Sequence, residues 1–199
     1  MVALSTSLVE TLGDLVVEVR EGYEAGAWAI PEAISQHEAF MDTNGPRSTL
    51  TRAIISREFR TAAGRLGLTA RSGLGGAVEL YELNGSEFAV IRLRSAEEVA
   101  GELRVIANSG STWGGLTDDG FWREVPYVFG WIAGPGDALE FFVAEVIGQT
   151  DSAVAQLEFG WTHRFQPSVP QTGASFAPDD GDLLDGWDLP EHGVIGNEA

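Results

Sequence analysis

The 199-residue chain contains no cysteine and no lysine. Without cysteine there are no disulfides, thiolate nucleophiles or cysteine-ligated zinc sites, so packing alone must hold the fold. Without lysine all twelve basic residues are arginine, a bias most simply explained by GC-rich coding and otherwise by a salt-adapted acidic surface. Histidine is scarce too, with only His37, His163 and His192. No apolar run approaches the roughly 20 residues a membrane helix needs. Residues 1–10 have no positively charged start of the kind a signal peptide carries, so a cytoplasmic protein with no membrane contact is expected.

What is present is acid and apolar surface. Hydrophobic residues make up 44% of the chain, enough for a packed core rather than wholesale disorder. The formal net charge is −18. That repels phosphate backbones and anionic membranes at long range, so direct nucleic-acid binding is not expected except locally. The same charge suits a basic protein partner, or imitation of a nucleic acid.

Periodicity predicts helices first and strands afterwards. Leu8, Leu12, Leu15, Val19 and Tyr23 recur at intervals of three and four, a stripe that predicts a helix over residues 7–24. Ser7 with Glu10 has the spacing of a capping box. Pro31 marks a short helix over 31–41, Asn44-Gly45-Pro46 breaks the chain, and a third helix fits 49–66 with Ile55, Phe59, Ala62 and Leu66 on one stripe and Gly67 as its stop. From about residue 76 the pattern is strand-like: 77–83 and 88–94 form a hairpin about Asn84-Gly85, followed by strands at 103–107, 127–133, 139–147 and 155–165. The last alternates most clearly, with Ala155, Leu157, Phe159, Trp161, His163 and Phe165 forming one apolar face. This order predicts an α+β domain over 1–166. Its N-terminal helices (1–67) pack on a mainly antiparallel, curved or barrel-like sheet (76–166) of about six strands. Residues 167–199 hold seven acids, no arginine and several prolines, and are expected to form a flexible acidic tail.

Charge is unevenly distributed. Residues 44–71 carry six arginines and one acid, Glu58, whereas the segments on either side are acidic. Arg57 and Arg60, three apart on the predicted third helix, are candidates for docking a phosphate or an acidic partner. The favoured alternative is that the island pairs internally with the abundant acids. In the tail, Leu183, Leu184 and Trp187 lie among Asp185, Asp188 and further acids, a pattern suited to a docking motif with Trp187 as anchor and the acids steering, the alternatives being a tail that folds back onto the arginine helix and a solubilising end.

No catalytic or cofactor motif is complete. His163 fits a core position, and His37 lacks a second histidine at zinc-protease spacing. Asp118 and Asp119, in a long loop over 108–124, are weak metal candidates without calcium-loop spacing. Glycines 73, 75 and 76 precede a strand, the reverse of a phosphate-cradling loop. The helix-then-strand order bearing Glu79, Glu82 and Glu87 resembles that of restriction-type nucleases in topology alone. Such Mg²⁺ sites usually include a lysine, which is missing here. The leading expectation is therefore a non-enzymatic inhibitor, immunity-type protein or regulatory subunit that engages a basic partner and needs no cofactor. The alternatives are a Mg²⁺-dependent hydrolase and a small-ligand binder walled by Trp113, Trp122, Trp131 and Trp161.

Overall fold

The computed structural model describes residues 4–72, 78–84, 87–107, 123–134, 138–152 and 154–166. The chain divides into two units, Met1–Pro167 and Ser168–Ala199, and all described residues belong to the first. Among the described residues, four helices, α1 (Thr6–Gly26), α2 (Ala29–Ser35), α3 (Glu38–Met41) and α4 (Gly45–Arg65), precede seven strands. These are β1 (Ala70–Ser72), β2 (Val78–Asn84), β3 (Glu87–Val99), β4 (Glu102–Arg104), β5 (Arg123–Ala133), β6 (Leu139–Gln149) and β7 (Leu157–Phe165). Among the described residues no helix is long and apolar enough to cross a membrane.

The apolar stripes dictate the helix packing. Leu8, Leu12, Leu15, Val16, Val19 and Tyr23 of α1 are all buried, as are Ile55, Phe59, Ala62 and Ala63 of α4. Both stripes meet one face of the sheet, where Phe129 lies 5.1 Å from Phe59, 5.7 Å from Phe141 and 6.1 Å from Phe165 between ring centroids. Arg20 of α1 sets its guanidinium 5.8 Å from the centre of the Phe141 ring, a cation–π contact between helix and sheet. The cap of α1 is Ser5, whose hydroxyl accepts from the Leu8 N–H, so the Ser7–Glu10 box does not start this helix. The expected second helix resolves into α2 and α3, separated by His37, whose Nδ1 accepts from the Ala39 N–H.

The sheet is mixed and open. Its order is β1-β2-β3-β5-β6-β7, with β4 also paired to β3. All pairings are antiparallel except β3 with β5, which run parallel over residues 87–96 and 123–132. β3 and β4 are joined by Ala100 and Gly101, with φ of 54° and 84°, the two positive angles of a tight hairpin. The single strand expected at 103–107 is divided: β4 pairs with β3, then Ile106 bridges to Gln156, the residue just before β7. That crossing covers the other face of the sheet. There Val105 and Ala107 pack with Val128, Phe142, Ala144 and Leu157 in a second core. Neighbouring residues along a strand point to opposite faces. Phe141 and Val143 therefore serve the helix-side core, while Phe142 and Ala144 serve the second.

The alternation of β7 holds, but its apolar residues do not share one face. Ala144 pairs with Thr162 whereas Val146 pairs with Phe159, so β7 carries an extra residue beside Gly160. A one-residue insertion flips the faces along the strand that carries it, and a second shift between Val146 and Gly148 on β6 restores the pairing register. Leu157 and Phe159 accordingly join the second core, and Trp161 and Phe165 the helix-side core.

Candidate functional site

One concavity among the described residues is a cleft of about 530 Å³ where α4, the ends of β3 and β5, and the β4–β7 crossing meet. Its first wall is the start of α4. Arg47 and Thr51 stand eight and four residues before Ile55, on the helical row that continues to Phe59. The row that buries apolar side chains further along is polar where it borders the cleft. Ser48 and Arg52, also four apart, complete this wall. The floor comes from the carboxyl ends of the parallel pair: Arg94 to Glu97 on β3, Trp131 and Ala133 on β5. The far wall comprises Arg104, Ile106, Val154 and Gln156, held together by the Ile106–Gln156 bridge and the bond from the Ala107 N–H to the Ala155 carbonyl at 2.9 Å.

Four arginines (Arg47, Arg52, Arg94 and Arg104) thus line one cleft, against a single lining acid, Glu97. In a chain whose acids outnumber its bases 30 to 12, that reverses the general charge balance. Arg94 is the most confined, only 8% exposed. Its Nη1 donates to the Leu93 carbonyl at 3.1 Å. Burial, then repulsion from Arg52 and Arg92, pushes its pKa below the ordinary arginine value, while Glu79 acts in the opposite direction. Arginine's intrinsic pKa is high enough that the group remains cationic at neutral pH. Glu79 is itself held by Arg92, Oε1 to Nε at 2.8 Å, and Glu124 approaches the same arginine at 3.8 Å. The cleft therefore gathers four guanidinium groups on strand and helix ends, with Glu97 opposite Arg104 across the β3–β4 pair. An entering anion would meet several guanidinium donors there.

The remaining candidates lie elsewhere. Arg57 and Arg60 are exposed on α4 and do not line the cleft. Arg65 pairs with Glu18 of α1 at 3.1 Å, a pairing with the first helix, whereas Arg57 only approaches its neighbour Glu58 within α4 at 3.7 Å. His163 stacks on Trp161 at 6.0 Å and meets Phe165 edge-on at 4.9 Å. Among the described residues no three potential metal ligands of the His, Asp and Glu type gather. Trp187, Leu183, Leu184, Asp185, Asp188, Asp118 and Asp119 lie outside the described residues, as do Trp113, Trp122, His192, the glycines at 73, 75 and 76, and Gly85 of the expected hairpin turn.

Sequence reasoning singled out Arg57 and Arg60 of the arginine island rather than Arg47 and Arg52, and missed Arg94 and Arg104. A signal for Arg94 exists: Arg92 and Arg94 alternate with Ile91 and Leu93, placing two cations on one side of a strand inside an apolar stretch. Arg104 gave no such signal, since only the β3–β4 hairpin brings it opposite Glu97 and into the cleft lining. Comparison with protein families, curated proteins and solved structures finds no match to this chain.

Proposed function

We propose that this chain is a binding protein for a small multivalent anion, seated in the arginine cleft. The observation that carries the reading is the convergence of Arg47, Arg52, Arg94 and Arg104 on one cavity of a protein with net charge −18. Guanidinium forks match phosphate and carboxylate oxygens. The cavity volume falls in the usual range for small-ligand sites, about 300–1,000 Å³. Of the tryptophans expected to wall a ligand pocket, Trp131 lines the cleft and Trp161 packs against the helix-side core. The test is calorimetric titration of the full chain with tripolyphosphate at low ionic strength. Saturable binding that weakens with added salt is expected. Absence of binding overturns the reading.

A second reading, the acidic inhibitor or regulatory subunit with a basic protein partner, is favoured by the outer surface of α1–α3. Trp28 and Met41 are 67% and 61% exposed there, and Glu24, Glu32, Glu38 and Asp42 are exposed around them in sequence with no arginine between Arg20 and Arg47. Apolar anchors among acids suit a basic amphipathic segment. Its test is retention of a defined basic amphipathic peptide by the wild type and loss of that retention in Trp28→Ala. Equal retention by both proteins counts against this surface.

A further inference from the structure

We infer that the ligand of the arginine cleft is an organic oxyanion with an apolar body, its charged head set against the α4 wall and its body against Trp131, Ile106 and Val154. This rests on the anion-binding reading above and goes on to specify the ligand.

The division of the lining carries the inference. Every residue that α4 contributes is polar: Arg47, Ser48, Thr51 and Arg52, after the preceding Asn44. Apart from Tyr23 of α1, the apolar lining comes from the floor and the opposite wall, where Trp131, Ala96, Ala133, Ile106 and Val154 stand beside Arg94 and Arg104. Ile106 and Val154 are each 56% exposed. Two β-branched apolar side chains facing a water-filled cleft gain about 25 cal/mol for each Å² that a ligand covers. A bare inorganic anion covers neither of them.

Size points the same way. A water molecule accounts for about 30 Å³ of liquid, and an inorganic phosphate is only a few times larger, whereas the cleft offers about 530 Å³. An anion coordinated by one or two arginines leaves most of that volume unfilled.

The whole-molecule charge selects against a polymer. A nucleic acid or other polyanion must bring many charges near a surface of net charge −18, and its repulsion grows with each one. A compact ligand with one to three charges meets mainly the local field of the cleft. Four guanidinium groups, with hydroxyls from Ser48 and Thr51 beside them, suit a phosphate or carboxylate head.

The experiment is competitive calorimetry on the full chain with 1-naphthyl phosphate, 1-naphthoate, inorganic phosphate, 1-naphthol and a single-stranded oligonucleotide, with tripolyphosphate as the reference anion. At least one naphthyl anion should bind ten-fold or more tighter than inorganic phosphate, and 1-naphthol should not compete. The tighter of the two naphthyl anions identifies the head as phosphate or carboxylate, and either supports the inference. Ile106→Ser combined with Val154→Ser, both at exposed positions, should erase the advantage of the naphthyl anions. Arg52→Gln and Arg104→Gln should weaken naphthyl and inorganic anions alike. If tripolyphosphate binds but the naphthyl anions do no better than phosphate, the apolar-body inference fails and the anion-binding reading stands. If neither tripolyphosphate nor a naphthyl anion binds, both fail. Displacement of the naphthyl anion by the oligonucleotide at lower concentration overturns the small-ligand assignment.

Discussion

Replacing Gly130 by alanine tests the sheet register on which the cleft depends. Gly130 sits at the centre of β5, paired with Arg94 on one side and Phe142 on the other. A Cβ added there would lie 2.0 Å from Cζ and 2.2 Å from Cε1 of Phe142. Carbon atoms rest at about 3.5–4.0 Å, so the ring must move by roughly 1.5 Å. Phe142 is only 1% exposed and packed in the second core, with little room to move. Overpacking of this kind costs about 3 kcal/mol, which in a domain of this size lowers Tm by roughly 6–12 °C. Backbone preference predicts the opposite sign, because glycine inside a strand is about 0.5–1 kcal/mol worse than alanine when nothing clashes. Thermal unfolding followed by circular dichroism separates the two. Adding Phe142→Leu to Gly130→Ala should recover part of the loss, a positive coupling that distant sites do not show. If Gly130→Ala is neutral or stabilising, Phe142 does not cover Gly130, and the register that places Trp131 and Ala133 beside the arginines is wrong.

Further outcomes follow from the same structure. Phe59→Ala removes the α4 ring from the aromatic cluster around Phe129 and should cost about 3–5 kcal/mol, measured by denaturant unfolding. A cost below about 1 kcal/mol would mean that α4 does not pack there. Ala100→Gly should stabilise by about 1 kcal/mol, since Ala100 holds a φ of 54° that is unfavourable for an L residue with a Cβ; a loss of stability would contradict the tight hairpin. Hydrogen bonding from Arg164, at 2.8 Å, holds the Glu98 carboxyl below its ordinary pKa. A carboxyl depressed in the folded state contributes stability above its unfolded pKa and loses it as pH falls through the folded value. Glu98→Gln should therefore flatten the acid limb of the stability profile below the ordinary carboxylate range, and an unchanged limb would remove this pair from the account.

Local features were readable from the sequence and non-local ones were not. The stripes of α1 and α4 announced both helices and their buried faces, because burial follows a period that one segment displays by itself. The alternation of β7 was equally plain. The bulge beside Gly160 was hidden, since it exists only relative to the register of β6. The parallel pairing of β3 with β5 was hidden for the same reason: residues 87–96 and 123–132 carry no mark of their partner. β1 spans only Ala70–Ser72, too short for any period to show. The cleft was half legible. Six arginines in residues 44–71 were conspicuous, and Arg47 and Thr51 fall on the row of Ile55. Which arginines converge depends on where β3 and β4 end, and that is a property of the topology.

The most direct test is a set of four melting curves: wild type and Arg52→Gln, each with and without tripolyphosphate. Arg52 adds to the repulsion on Arg94, so its removal should leave the unliganded Tm unchanged or raise it, as expected when a site is assembled for binding at some expense to stability. Ligand at about 100 times its Kd should add about 2.7 kcal/mol to the wild type, a rise of roughly 5–11 °C, and distinctly less to the variant. If Arg52→Gln instead lowers the unliganded Tm, and the anion shifts both proteins equally or neither, the arginines are structural and the cleft is not an anion site.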